Sequence, residues 1–531
     1  MLKRRFTFIF SLSVLGAALL AAGCGSSSSS SSATSATSAT NAAAPNGATS
    51  LTAAISSFPN DMDPLSPTVD NVSLLVWNAF WEYLVQPSND GSKIIPMLAQ
   101  SWTISPDQKT YTFKLRPGVE FSDGTPLTPA DVIYSLHNAF TNSGSQIAFL
   151  AKTVASITAP NADTVVIKLN KPWSYLLADL SGFNAAILPS ALIKKEGYKT
   201  FLKHPIGTGP FMISSVSPGS SITMVKNPHY WDPGKPILKS ITFNVVDSDV
   251  ARANAVQGGN AQVAMSPPGN QIPALESNSA VHVYKFPGSE VETLLLNVKD
   301  PPLNNQDVRQ AISLALDREG IVKSGLFGFG APASTFIVGP APLTHQNTSL
   351  SLYPFDMSKA ATLMKSSGVK TPVSIPLIVS GGTAQQAIAT IAQQDLAKIG
   401  IQLKITQTDY GTAASEMSAG HFTMITNNWD DYVGDASEQP LFWTDPAFCC
   451  ASYFTNYSNQ AQISLVHKAV NATDPTTTTQ LFDQTQQSVA TTAHAIPLYF
   501  PTFLYLGSSK LVGFNVNPFG TWSFPEMGLT K

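Results

Sequence analysis

"AQQAIATIAQQDLAKIGIQLKI", residues 384 to 405, holds two periodicities separated by one glycine. In its first part Ile388, Ile391, Ala392, Leu396 and Ile399 recur at three- and four-residue steps, the spacing of one helix face. Gly400 is placed to stop that helix, since glycine enters the left-handed conformation of a helix C-cap at no steric cost. Ile401, Leu403 and Ile405 then alternate with Gln402 and Lys404, the period of a half-buried strand. A helix that turns through glycine straight into a strand predicts a sheet layered with helices, the α/β class.

The same grammar extends in both directions. Downstream, Phe422, Met424 and Thr426 form an alternating run that is expected to deliver Asn427, Asn428, Trp429, Asp430, Asp431 and Tyr432 at its end. Strand ends in α/β sheets commonly carry ligand sites. Upstream, "PLNNQDVRQAISLALDREGIV" (302 to 322) places Val308, Ala311, Ile312, Ala315 and Leu316 on one helix face, with Asn305 or Asp307 as cap and Asp317 as cap of a second short helix. In "KTYTFKLRPGVEFSDGTPLTPADVIYSL" (109 to 136), Tyr111, Phe113 and Leu115 alternate as a strand and Asp123-Gly124 marks a turn. Thr128 then stands as N-cap, Pro129 at the first helical position and Asp131 three residues after the cap, ahead of an apolar stripe of Val132, Ile133, Leu136 and Phe140.

The start of the chain reads differently. Lys3, Arg4 and Arg5 precede an apolar run from Phe6 to Leu20 that is short for a bilayer span, the layout of an export signal over 1–23. Ala21, Ala22 and Gly23 before Cys24 resemble a bacterial lipobox, which makes Cys24 the expected lipidation site, although Leu20 stands one place further upstream than the usual aliphatic position. Residues 24–50 are mostly Ser, Ala, Thr and Asn, without periodicity, and read as a flexible tether that cannot bury enough surface to offset its ordering entropy.

Composition narrows the function. The chain of 531 residues is 43% hydrophobic, too long for one core, and predicts two or three domains. A net charge of −3 and the lack of a basic run after the signal argue against nucleic acid. Only 12% of residues are charged, against roughly 25% in typical proteins, and a surface of uncharged polar groups suits an acidic habitat. Of the three cysteines, Cys449 and Cys450 are neighbours, open to a vicinal disulfide or to two packed thiols. There is no CxxC or HExxH, and the eight histidines have no ligand spacing, so neither metal nor cofactor is expected. No GxSxG, no SxxK with its partner motifs and no glycine-rich phosphate loop occurs, and an enzyme is not expected.

Several stretches together carry a family resemblance. "LAQSWTISPDQKTYTFKLRPGVEFSDGTPLTPADVIYSL" (98 to 136), "HPIGTGPF" (204 to 211) with "KNPHYW" (226 to 231), "LNVKDPPLNNQDVRQAISLALDREGIV" (296 to 322) with "GFGAPA" (328 to 333), "YPFDMSKAATLMKSSG" (353 to 368) and "IPLYFPTFLYL" (496 to 506) run in order over almost the whole mature chain. The set resembles the family 5 extracellular solute-binding proteins of ABC transporters, which include dipeptide-, oligopeptide- and nickel-binding proteins. The resemblance implies a two-lobed, periplasmic-binding-protein-like Venus flytrap of type II (cluster C). Lobe one would take 51–92, 205–285 and 495–531, an inserted domain 93–204, and lobe two 286–494. It implies an extracytoplasmic receptor, anchored to the outer face of the cell membrane through lipid at Cys24 and acting as a monomer. Such a receptor hands a small-molecule or peptide ligand to an ABC permease whose ATPase subunits are separate chains.

Carried over residue by residue, the resemblance points to "NNWDDYVGD" (427 to 435). In peptide-binding members an aspartate after a tryptophan binds the α-ammonium group, through a charge-assisted bond in a closed cleft. Asp431 before Tyr432 is the nearest equivalent, with one residue between it and Trp429, and Asp430 and Asp435 stand as alternatives. "VWNAFWEYL" (76 to 84) has a counterpart that contributes cleft wall, and Trp77, Asn78 and Trp81 are candidates there, of which one or two are expected to reach the ligand. Glu290 and Glu292, ahead of "TLLLN" at the crossover into lobe two, are candidates to face the cleft but read more readily as exposed loop acids. Short peptides are the expected solute, with an oligosaccharide or a nickel chelate as alternatives, and a sensory or adhesion receptor as a different use of the fold.

Overall fold

The helix, glycine, strand unit forms as its periodicities require. Helix Thr383–Ala397 buries Ile388, Ala392 and Leu396, Gly400 adopts φ +84°, and strand Ile401–Thr408 buries Ile401 and Leu403. The computed structural model describes residues 49–66, 69–339, 344–431, 436–448 and 454–531, so Cys24, Tyr432, Asp435, Cys449 and Cys450 lie outside the described residues.

Strand Ile401–Thr408 runs parallel to Val373–Ser380, which in turn runs parallel to Met424–Asp430. Met424–Asp430 pairs antiparallel with Glu290–Leu296, and that strand pairs antiparallel with the first half of the 14-residue strand Ala495–Ser508. With helices such as Gln306–Ala315 and Thr383–Ala397 packed against it, this half is α/β. The other half is built around Ser50–Ile55, which lies between parallel neighbours Ser240–Val245 and Val263–Met265. Strands Val263–Met265 and Val281–Pro287 pair with the second half of Ala495–Ser508. One long strand therefore belongs to both halves, from Leu295↔Ala495 at one end to Val281↔Ser508 at the other. The chain also crosses at Gly288 and Ser289, between Val281–Pro287 and Glu290–Leu296. Two halves joined by so few residues have the connectivity of a hinge.

A separate four-stranded antiparallel sheet, in the order Ala99–Ile104, Thr110–Leu115, Thr164–Leu169, Val154–Asn161, carries the 109–136 stretch. Tyr111, Phe113 and Leu115 are buried as their alternation predicts, and helix Pro129–Thr141 buries Val132, Leu136 and Phe140 while Ile133 is half-buried. One oxygen of Asp131 accepts from the Thr128 amide at 2.8 Å and hydroxyl at 2.6 Å, which makes the capping box. Its other oxygen accepts from the Ser190 amide at 2.8 Å and hydroxyl at 2.7 Å, so the same carboxylate ties two helices together. At the second predicted helix start Asn305 is the cap, accepting from the Asp307 amide at 2.9 Å, and Asp317 caps the following turn through the Gly320 amide at 2.9 Å.

The motifs that carry the resemblance prove to be joints. Gly207 and Gly209 of "HPIGTGPF" lie so close to Phe80 that a Cβ on Gly207 would stand 1.9 Å from the Phe80 carbonyl oxygen. Glu82, fully buried, accepts from Thr208 Oγ1 at 2.8 Å and from Trp231 Nε1 at 2.8 Å, and Arg116 lies 4.0 Å over the Trp231 ring. Burial pushes the Glu82 carboxyl up to about 7, against the pull of those donors. Arg309 and Arg318 of "DVRQAISLALDREG" are buried too, Arg309 donating to the carbonyls of Thr492 and Leu303 and Arg318 to those of Pro497 and Ser313. Arg309 thus ties its helix to the end of helix Pro475–Thr492, and Arg318 ties its turn to the long shared strand.

Candidate functional site at the junction of the two halves

A cavity of about 130 Å³ opens where the halves meet, with Asn71, Met265 and Tyr505 on one side and Ser289, Glu290, Asp430 and Asp431 on the other. Its polar wall follows from strand register. Glu290 lies directly opposite Asp430 on antiparallel neighbours, and Glu292 opposite Asn428. With a two-residue period, those four side chains share one face of the sheet. Tyr499 on the long strand is opposite Glu292 and donates to its carboxylate at 3.3 Å.

The expected site residues divide sharply. Asp431 is almost fully buried, lines the cavity, and donates its backbone amide to the Ser289 carbonyl at 2.8 Å. Asp430 is half-buried and also lines the cavity; Asn428 Nδ2 donates to its carboxylate at 3.1 Å and Asn71 Nδ2, from the other half, at 3.4 Å. Strand alternation would send these neighbours to opposite sides, but the strand ends at Asp430, so Asp431 is free of that alternation. Trp429 packs away from the cavity against Phe442, ring centroids 4.8 Å apart, in a cluster with Val291, Ala333 and Val338.

Trp77 and Trp81 are not brought to the cavity. Both are fully buried, 5.6 Å apart between ring centroids, and Trp77 donates Nε1 to the Asp61 carbonyl at 3.1 Å. Asn78 is engaged locally: Tyr83 donates its hydroxyl to Asn78 Oδ1 at 2.7 Å, and Asn78 Nδ2 donates to Thr521 Oγ1 at 3.3 Å. The helical spacing of these aromatics is that of a core face. Nor are the polar residues 427 to 430 a loop after a strand, for the strand Met424–Asp430 runs through them.

Glu290 and Glu292 differ most from expectation. They are the first residues of a sheet strand rather than loop acids, and Glu292 is only 5% exposed. Burial, then the Asp430 charge, then that of Glu292 hold the Glu290 carboxyl well above the usual carboxylate range. Burial pushes Glu292 up to about 8, opposed by the hydrogen bond from Tyr499. The available signal was the alternation of Glu290, Glu292 and Leu294 running into "TLLLN"; what it lacked was any indication that Asp430 stands opposite. Among the described residues no group of three His, Cys, Asp or Glu is arranged to hold a metal ion, and no helix is long and apolar enough to cross a membrane.

The sequence model of the bacterial extracellular solute-binding proteins, family 5 (middle region), matches residues 93–447. The glutathione-binding protein GsiB of Escherichia coli is 30% identical over 495 residues, covering 91% of this chain and 95% of that protein. Among solved structures, the periplasmic binding protein DppA of Helicobacter pylori in complex with the peptide STSA superposes with a TM-score of 0.82 at 25% identity, over 91% of this chain and 98% of that one. NikZ of Campylobacter jejuni in complex with Ni(L-His) does so with a TM-score of 0.80 at 20% identity, over 91% and 100%, and so shares the fold. With a two-lobed α/β architecture, a cavity at the junction and a match of this extent, the chain belongs to the family 5 extracellular solute-binding proteins of ABC importers.

Proposed function

We propose that this protein captures short peptides between its two lobes and hands them to an ABC permease, with Asp431 binding the peptide's α-ammonium group. One observation carries the reading: Asp431, two residues after Trp429, is a buried carboxylate in the wall of the cavity between the halves. A buried carboxylate is costly unless a cation or several donors meet it, and a peptide amino terminus supplies both. Closure follows from the same geometry. A solute that touches Asp431 on one half and the Asn71 side on the other favours the closed form by the contacts it makes only there. An oligosaccharide would draw on Trp77, Trp81 and Trp429 as stacking surfaces; the first two are fully buried and the third is packed against Phe442, which favours the peptide reading.

The lobe boundaries 51–92, 205–285 and 495–531 for lobe one, 93–204 for the inserted domain and 286–494 for lobe two are part of this proposal, and so are the signal over 1–23 and lipid attachment at Cys24. The crossings at Gly288–Ser289 and within Ala495–Ser508, and the separate four-stranded sheet, support the boundaries.

Calorimetry tests the reading. Asp431→Asn keeps the size of the side chain and removes its charge, and affinity for a bound tripeptide should fall more than tenfold, about 1.4 kcal/mol. N-acetylation of the tripeptide should weaken binding to the unaltered protein by a similar factor. Equal affinity in both comparisons would remove Asp431 from the ammonium role.

A further inference from the structure

We propose that the cavity has a second cation position, formed by Glu290 and Asp430, that takes the ammonium or guanidinium of a basic side chain, so that the preferred ligands are short peptides with Lys or Arg near a free amino terminus. The inference rests on the peptide reading above and names the substrate class of the same site.

Four observations carry it. First, the register sets Glu290 directly opposite Asp430, and two carboxyl groups facing each other across antiparallel strands call for either a proton on one of them or a cation between them, so a bound cation can take the proton's place. Second, the described residues that line the cavity include Glu290, Asp430 and Asp431 but no lysine, arginine or histidine, and among the described residues neither Glu290 nor Glu292 has an ion pair. Third, the Ser289 hydroxyl lines the same cavity, is 2% exposed and has no hydrogen-bond partner. It lies near the Asp431 carboxylate, both within 3.3 Å of the point where a Cβ on Gly339 would stand, and gives a ligand N–H an uncharged acceptor beside that acid. Fourth, Asn428 donates to Asp430 Oδ2 at 3.1 Å and reaches Glu290 Oε1 at 3.5 Å, so one amide orients both carboxylates toward a common partner.

Such a wall also predicts what is refused. A solute with net negative charge, as glutathione has with two carboxylates and one ammonium, would bring its charge against three acids and no base. A cationic peptide gains where an anionic one loses, and the difference is one of specificity rather than of closure.

The test is calorimetry on the full-length chain with Ala-Ala-Ala, Ala-Lys-Ala, Lys-Ala-Ala and glutathione, repeated with Glu290→Gln and Asp430→Asn, each of which preserves side-chain size. At least one basic peptide should bind tenfold or more tighter than Ala-Ala-Ala and glutathione, and in each variant that ratio should fall to near one. A ratio near one in the unaltered protein, or a ratio that survives Glu290→Gln, overturns the second position while leaving the peptide reading intact. If no peptide binds but the diamine cadaverine raises the thermal midpoint and Glu290→Gln abolishes that rise, the cation position stands and the peptide reading falls. Absence of any effect from peptides and cadaverine overturns both, and stabilisation by calcium chloride alone would replace the organic cation by a metal.

Discussion

The helix Pro129–Thr141, beside the separate four-stranded sheet, and the strand pair Glu290–Leu296 and Met424–Asp430 treat buried acids in opposite ways. Asp131, 5% exposed, collects four donors from Thr128 and Ser190 and closes its hydrogen-bonding account within the scaffold. Glu292, equally buried, has one long hydrogen bond from Tyr499, and its neighbour Glu290 faces another carboxylate. A satisfied carboxylate stabilises the fold, whereas acids held without a cation lower stability and raise affinity for whatever brings one. The contrast separates the part of the chain that identifies the family from the part proposed to select a solute.

The sharpest way to break the scaffold side is Gly207→Ala. The added Cβ meets backbone at Phe80 rather than a movable side chain, and the loss should reach about 3 kcal/mol or more, measured by urea unfolding. A stability within experimental error of the parent would show that the joint between the 76–84 segment and "HPIGTGPF" yields easily. Next in size is Asp131→Ala, which strips a cap and strands the Ser190 amide and hydroxyl; about 2 kcal/mol is expected. A loss no larger than that at an exposed helix position would show that the Asp131 carboxylate does not tie the two helices together.

On the cleft side the sign reverses. The Glu292 carboxyl, at about 8 when folded against an ordinary value of 4.5, binds more protons in the folded state than in the unfolded one. Its contribution is fully present below about pH 4.5 and is lost as pH rises toward about 8. His494, buried and held near 3, works the other way: its contribution is present above the usual histidine range and is lost as pH falls toward 3. Glu292→Gln isolates the first effect. The variant should raise the thermal midpoint of the ligand-free protein at pH 8 more than at pH 5, and an equal change at both would show that this group does not titrate in that window. The smallest effect belongs to Asn71→Ala, which removes one long contact to Asp430 across the halves. It should cost under about 1 kcal/mol and shift the ligand-free scattering profile slightly toward the open form. A more compact profile would mean that Asn71 holds the halves apart.

Much of the fold was readable locally. The Thr128 capping box, the Asn305 and Asp317 caps, the glycine at 400 and the alternation at 111 to 115 involve residues within one turn or one strand of each other, where propensity and capping act without help from the rest of the chain. The site was readable only in part. Asp430 and Asp431 stand out through the likeness of the 427–435 stretch to the family, whereas Trp77 and Trp81 carry the same helical spacing whether packed inward or turned to a ligand, and the structure packs them inward. Glu290 alternates with Glu292 and Leu294 as a strand does, but what matters about it is Asp430, 140 residues further along the chain.

The sequence by itself determined the α/β class, the element boundaries set by caps and glycines, and the order of motifs that marks the family, since each depends on interactions between residues near in the chain. Tertiary structure alone decided which acids share a face and which lie in the cavity. Pairing register between distant strands is set by the packing of the whole sheet, and a shift of one residue would have turned Glu290 and Asp430 to the other side.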